Sequence, residues 1–227
     1  ALRAVVDGPE GEAWISFHPS GKTVVFGRNT KDWKNHRVWV TRLIDGKWRP
    51  AEPASFTSDV EGTSARFSAD GKSVLFSSSK PLPADLQVTP KDGKKDQNIW
   101  RVSWDGEKFG DPVPVMGINT AWAEIEAIEV ANGTIYVSST KSKELNPKNN
   151  VDIYQAVPKG DGTYTITVAD AVNTDHTEST MYVAPDERLM LFHRANDPQG
   201  LGHDDIFVSY NRGGKWSAPV HLKGEVN

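Results

Sequence analysis

Apolar and polar residues alternate along this chain in short runs of roughly five to seven residues, each broken by Gly, Pro, Asn or Asp. No window keeps apolar residues at i, i+3, i+4 and i+7 without a Gly or Pro cutting it, so strands are expected throughout and no helix. The runs also repeat. A tight turn between two apolar segments occurs in "WISFHPSGKTVVF", "ARFSADGKSVLF", "IEVANGTIYV" and "MYVAPDERLMLF". An apolar-aromatic pair follows a polar loop at Val38-Trp39, Ile99-Trp100, Ile153-Tyr154 and Ile206-Phe207. A Gly-containing turn then precedes an aromatic in "DGKW", "DGEKF", "GDGTY" and "GGKW", with Pro50, Pro112 and Pro219 following in three of the copies.

Each copy reads as four strands, a to d, joined by hairpins. Gly supplies the positive φ of a tight turn, and Asp or Asn bonds locally to the backbone. The strand c aromatics at 39, 100, 154 and 207 set a period of roughly fifty to sixty residues. Four-stranded units at that period predict an all-β chain: a β-propeller of four blades, each of four antiparallel strands. The expected domain is a single propeller over 1–227, with blades at about 10–56, 60–116, 122–172 and 176–222. The copies are complete in a-b-c-d order, which favours one closed ring. The terminal "GEVN" resembles a linker opening another blade, which keeps a larger ring as the alternative.

Composition narrows the function classes. With 227 residues, 37% hydrophobic and 25% charged, the chain can bury a core without staples. The absence of Cys removes thiol nucleophiles, thiolate metal sites and disulfides. A net charge of −4 offers no basic surface for phosphates, so no nucleic-acid partner is expected. No apolar run reaches spanning length, so no membrane span is expected either. No secretory signal pattern, Gly-x-Ser-x-Gly elbow, phosphate-binding loop or dinucleotide fingerprint is present, and a catalytic site would have to be assembled from separate blades.

The segments "SADGKSVLFSSS", "DIYQ", "DDIFVS", "GGKWSAP", "GKWRPAEP", "INT" and "VNT" resemble the WD40-like propeller repeats of the TolB type, found in bacterial envelope proteins. The resemblance covers nearly the whole chain. It implies a periplasmic or extracellular location and says little of activity, because propellers host receptors, scaffolds, lyases and hydrolases. The first copy departs from the pattern with "NHRVW", and the third with "DGTYTITVADAV", which lacks both the Trp and the Pro.

In an antiparallel a-b-c-d blade the a–b and c–d turns lie at one end, and the b–c loops and d-to-a linkers at the other. The turns are short, whereas the b–c loops at 27–37, 77–97, 138–151 and 193–204 are long and polar, which marks their end for recognition. The residues entering each strand a are acidic: Glu10 and Glu12, Glu61, Glu124 and Glu126, and Glu178. Carboxylates at a channel mouth could bind a divalent cation such as Ca²⁺, or a hydroxyl-rich ligand; the alternative is that they bond to nearby backbone. The fourth copy adds His176, His193, His203, Asp204 and Asp205. These could form a metal site with Glu178, His176 and Asp204, or an acid–base pair, although no recognised ligand spacing is present. Trp14, Trp33 and Trp122 fall near the same end, where a ring could stack on a ligand or pack between blades. Weaker signals are the oxygen-rich "NPKNNVD" at 146–152, the Lys-rich "KDGKKD" at 91–96 and the sequon "NGT" at 132–134.

The candidate ligand-binding set is therefore Glu12, Glu61, Glu126, Glu178, His176, His193, His203 and Trp122. The expected function is a non-catalytic monomeric module that binds a protein or glycan and requires no cofactor. The alternative is a carbohydrate- or peptide-active lyase or hydrolase with its carboxylate and His groups at the channel mouth, with or without a metal.

Overall fold

A computed structural model describes residues 1–8, 11–29, 36–57, 61–91, 97–141 and 151–224, with the side chain of Met181 left aside. The chain divides into two compact units, Ala1–Val115 and Met116–Asn227. The first opens with a one-turn helix α1 (Arg3–Val6), too short to leave a periodic signature. Its first sheet runs β1 (Gly11–Phe17), β2 (Thr23–Asn29) and β3 (His36–Ile44), and then β4 (Lys47–Trp48) and β5 (Glu52–Pro53), both paired with β3. Its second sheet is β6 (Thr63–Phe67), β7 (Ser73–Ser78), β8 (Asn98–Ser103) and β9 (Val113–Pro114).

The second unit repeats the plan. One sheet is β10 (Glu124–Glu129), β11 (Ile135–Ser139), β12 (Asp152–Pro158) and β13 (Tyr164–Val168). The other is β14 (Thr177–Val183), β15 (Leu189–Ala195) and β16 (Asp204–Arg212), with β17 (Lys215–Trp216) and β18 (Val220–His221) both on β16. Successive strands pair antiparallel in all four sheets. The fold class is thus the expected all-β propeller with four blades. Among the described residues, no helix is long and apolar enough to cross a membrane.

The fourth strand shows how sequence shapes the blade. In three sheets strand d is broken after its aromatic. Arg49, Gly110 and Ser217 each donate one backbone bond to strand c, and then Pro50, Pro112 and Pro219 interrupt the ladder because proline has no N–H to give. The third blade lacks that Pro, and β13 pairs with β12 without a break from Tyr164 to Val168. Strand a carries a bulge in every blade, between Ala13/Ser16, Thr63/Arg66, Glu124/Glu126 and Thr180/Tyr182. The extra residue re-aims the strand, with Trp14 and Ser64 at φ near 53°.

Each unit keeps its own core. In the first, Val25, Val38, Phe67, Phe76, Trp100 and Trp104 pack between the two sheets. In the second, Tyr136, Ile153, Met190, Phe192 and Phe207 do the same. Aromatics of strands a, b and c fill the space that an isolated sheet would leave wet, with Phe109 and Trp216 of strand d packed against them.

The a–b turns place Gly21, Gly71 and Gly133 at positive φ. The fourth turn puts Glu187 there instead, at φ 56°, a conformation that costs a residue with a Cβ. Its carboxylate accounts for the exception: Oε1 accepts from the Tyr136 hydroxyl and Oε2 from Asn132 Nδ2, each at 2.6 Å. Burial, together with this carboxylate, pushes the Tyr136 phenol well above its ordinary range.

Candidate functional site

The acidic and basic positions of the fourth blade converge at its b–c end. Glu178 lies on β14 and Arg194 faces it on β15 in direct register. Glu178 Oε1 accepts from Arg194 Nε at 2.7 Å and from the Thr174 hydroxyl at 2.6 Å, while Oε2 accepts from the Thr174 N–H. Arg194 spends its other donors on Asp197 Oδ2 and the Val172 carbonyl, and its guanidinium lies 4.5 Å from the centre of the Phe207 ring. The Glu178 side chain is 0% exposed and that of Arg194 9%. Burial dominates and raises the Glu178 carboxyl, against the Thr174 and Arg194 bonds that lower it.

The loop beyond is closed by carboxylates acting on backbone. Asp197 accepts from Gln199 N–H, and both oxygens of Asp205 accept from Leu201 N–H at 3.0 Å. These bonds, first those to the backbone, hold both carboxyls below their usual range. A Cβ at Gly200 would sit 1.8 Å from Asp205 Oδ2, so any larger residue there displaces that carboxylate. Asp205 opposes Arg194 just as Asp152 opposes Ser139, so Asp205 rather than Asp204 is the residue shared between blades.

The first blade repeats this arrangement. Arg28 donates to Glu12 at 3.3 Å and to the Val6 carbonyl at 3.0 Å, and its guanidinium lies 4.3 Å from the Trp39 ring centre. In the middle blades a Ser takes the place of the Arg and a Lys follows two residues later. Ser78 Oγ accepts from Lys80 N–H, and Ser139 Oγ from Lys141 N–H. Ser139 also donates to Glu124, which Thr120 grips as Thr174 grips Glu178.

The remaining candidates have structural surroundings. Glu126 accepts from Ser179 on the neighbouring strand at 2.8 Å, and the Glu61 carbonyl accepts from the Ser78 hydroxyl. Trp122 is buried, and its backbone N–H donates to the Thr120 hydroxyl. His176 is half-buried and donates its backbone N–H to Thr174. His193 Nδ1 lies 3.6 Å from Asp204 Oδ1, while His203 is exposed and contributes its carbonyl to Asn196 N–H. Glu178, His176 and Asp204 do not converge, and among the described residues no three His, Cys, Asp or Glu could hold a metal. They do not fit a cation, because the Glu178 oxygens are already met by Thr174 and Arg194. Glu10, Trp33, residues 92–96 of "KDGKKD" and residues 146–150 of "NPKNNVD" lie outside the described residues.

Solved structures resemble this chain over nearly its whole length. A hydrazine synthase of Kuenenia stuttgartiensis matches 93% of the chain at 13% identity and TM-score 0.59, with 32% of that protein covered. A gluconolactonase of Xanthomonas campestris matches 96% at 13% identity and TM-score 0.54, with 64% of its length covered. A glycoside hydrolase matches 97% at 10% identity and TM-score 0.60, with 77% of its length covered. The likeness is one of fold. No protein-family model and no curated protein matches the sequence.

Open space lies elsewhere. The third blade encloses about 20 Å³ beside Thr120, Glu124, Lys141 and Tyr154, room for a single water. The second blade holds about 240 Å³ beneath its b–c connection, between Lys80, Leu82, Gln87, Val88 and Asn98. The sequence reading missed Lys80 and Asn98, and it missed Arg28 and Arg194. The "FGR" and "FHR" that end strand b, set against "SSSK" and "SSTK", were the available signal.

Proposed function

We propose that this chain is a non-catalytic recognition module of the TolB-type WD40-like class, placed in the periplasm or outside the cell, that binds a glycan at the b–c end of its blades. One observation carries the reading. The carboxylates best placed for chemistry, Glu12, Glu126 and Glu178, are engaged by Arg28, Ser179, Thr174 and Arg194, so they brace strands instead of facing a substrate. A general acid or base must reach the proton it moves, and a fully buried carboxylate held by Thr174 and Arg194 does not. Long polar loops on a rigid sheet and an open cavity under one of them suit binding.

The carbohydrate-active reading draws on the names of two fold neighbours, a gluconolactonase and a glycoside hydrolase. It requires one of the same carboxylates to act on a sugar. The two readings part in one experiment: affinity electrophoresis of the purified chain through gels holding acidic or neutral polysaccharides, with reducing ends assayed in parallel. Retardation without new reducing ends supports the module. Release of reducing ends that Glu178→Gln abolishes supports the enzyme.

A further inference from the structure

The cavity of the second blade has a polarity that narrows its ligand. Asn98 opens β8 and lines the cavity at 2% exposure, with its Oδ1 buried and without a hydrogen-bond partner. Native proteins pair such acceptors, so an orphan beside a cavity marks a place where a donor belongs. The position has a history within the chain. In the fourth blade the corresponding Asp205 closes its own loop by accepting from Leu201 N–H. In the second blade a short 3-10 turn forms at Ala84–Leu86, and Asn98 Oδ1 accepts no such bond.

Charge and shape add two constraints. The Lys80 ammonium lies 5.1 Å from the centre of the Trp100 ring and makes no ion pair among the described residues. It is therefore a cation held at the cavity wall and open to an anion. Gln87 Nε2 donates to the Leu82 carbonyl at 3.3 Å, which fixes the amide and leaves its oxygen as a second acceptor. Pro81, Leu82 and Val88 supply apolar wall. The ligand that answers all of these carries a carboxylate for Lys80, hydroxyl donors for Asn98 and Gln87, and a C–H face for Leu82 and Val88. A volume of about 240 Å³ leaves room for one sugar ring.

We propose that the cavity formed by Lys80, Leu82, Gln87, Val88 and Asn98 binds a single uronic acid unit, free or within a polymer; this rests on the glycan-binding reading above and names its ligand class. The test titrates the full chain with galacturonic acid, galactose and glutamate, following amide shifts by NMR. Galacturonic acid should bind with a Kd on the order of 1 mM, as suits a ligand of that size. Galactose should bind at least about tenfold more weakly, and Lys80→Met should weaken galacturonic acid by about tenfold or more, since a charge-assisted bond is lost. Asn98→Ala should weaken both sugars with little change in thermal midpoint, because the oxygen it removes has no partner. Lys80→Met carries the test alone if that variant does not fold. Equal affinity for galactose, tighter binding of glutamate, or unchanged binding by Lys80→Met overturns the assignment. If Lys80→Met still binds polysaccharide as tightly as the parent, the cavity fails as the site while the recognition module stands. If no glycan binds the parent chain, both fall.

Discussion

Replacing Arg194 by Met tests whether the acidic positions hold the fold. Met is unbranched and can still cover Phe207, so the change removes the charge and its hydrogen bonds more than the packing. What remains is Glu178, wholly buried, with Thr174 as its described donor once the 2.7 Å bond from Arg194 is gone. Removing one partner of a buried pair costs about 3–5 kcal/mol. At about 2–4 °C per kcal/mol for a chain of this size, the midpoint should fall by about 6–20 °C. The loss should also depend on pH. Burial already holds the Glu178 carboxyl above its ordinary value; without Arg194 its charge and hydrogen bond no longer lower it, the Thr174 bonds remain, and the carboxyl rises further. A carboxyl raised in the folded state favours folding while protonated, and that advantage is lost as pH rises through the folded pKa. Urea titrations followed by circular dichroism should therefore show a smaller penalty near ~pH 5 than near ~pH 8. A penalty under ~1 kcal/mol, or one that is flat with pH, would refute the reasoning.

Glu12→Gln should cost less, about 1 kcal/mol by urea titration, because the Arg28 contact is longer, at 3.3 Å, and both side chains are more exposed. Gly200→Ala should destabilise by about 1–3 kcal/mol and raise amide exchange at Leu201, since the new Cβ displaces the Asp205 carboxylate. Glu187→Gly should relieve the backbone at φ 56° yet lower stability by about 1–3 kcal/mol in the same assay, because two bonds to its carboxylate are lost. Asp197 and Asp205 titrate below their ordinary range, so their stabilisation is present above about pH 4 and disappears as pH falls through their folded values. Amide protection at Gln199 and Leu201 should drop in that window ahead of the strands.

The propeller was legible because each blade repeats its turn, its strand c aromatic and its strand d turn at a steady period. The missing Pro of the third copy was visible in the sequence, and it explains why that ladder runs unbroken. The roles of the carboxylates were not legible. Glu178 looks like a ligand residue until the β14–β15 register sets Arg194 opposite it, and no local spacing reveals a partner sixteen positions away. The grip of Thr174 on Glu178 was closer to the surface of the sequence. Asn-Thr four residues ahead of a Glu recurs at Thr120 and Glu124, and in both places hydroxyl and backbone N–H bind the carboxylate. The cavity at Lys80 and Asn98 depends on the path of residues 79–88, which residue types alone do not specify.

The most direct test of the account is a hydrogen-exchange footprint of the chain with and without polygalacturonate. The account predicts protection at 79–88 and 98–100, with 174–178 and 193–205 unchanged. Protection confined to the latter two segments would contradict it, returning the buried Glu178 and its neighbours to the role of ligand contacts.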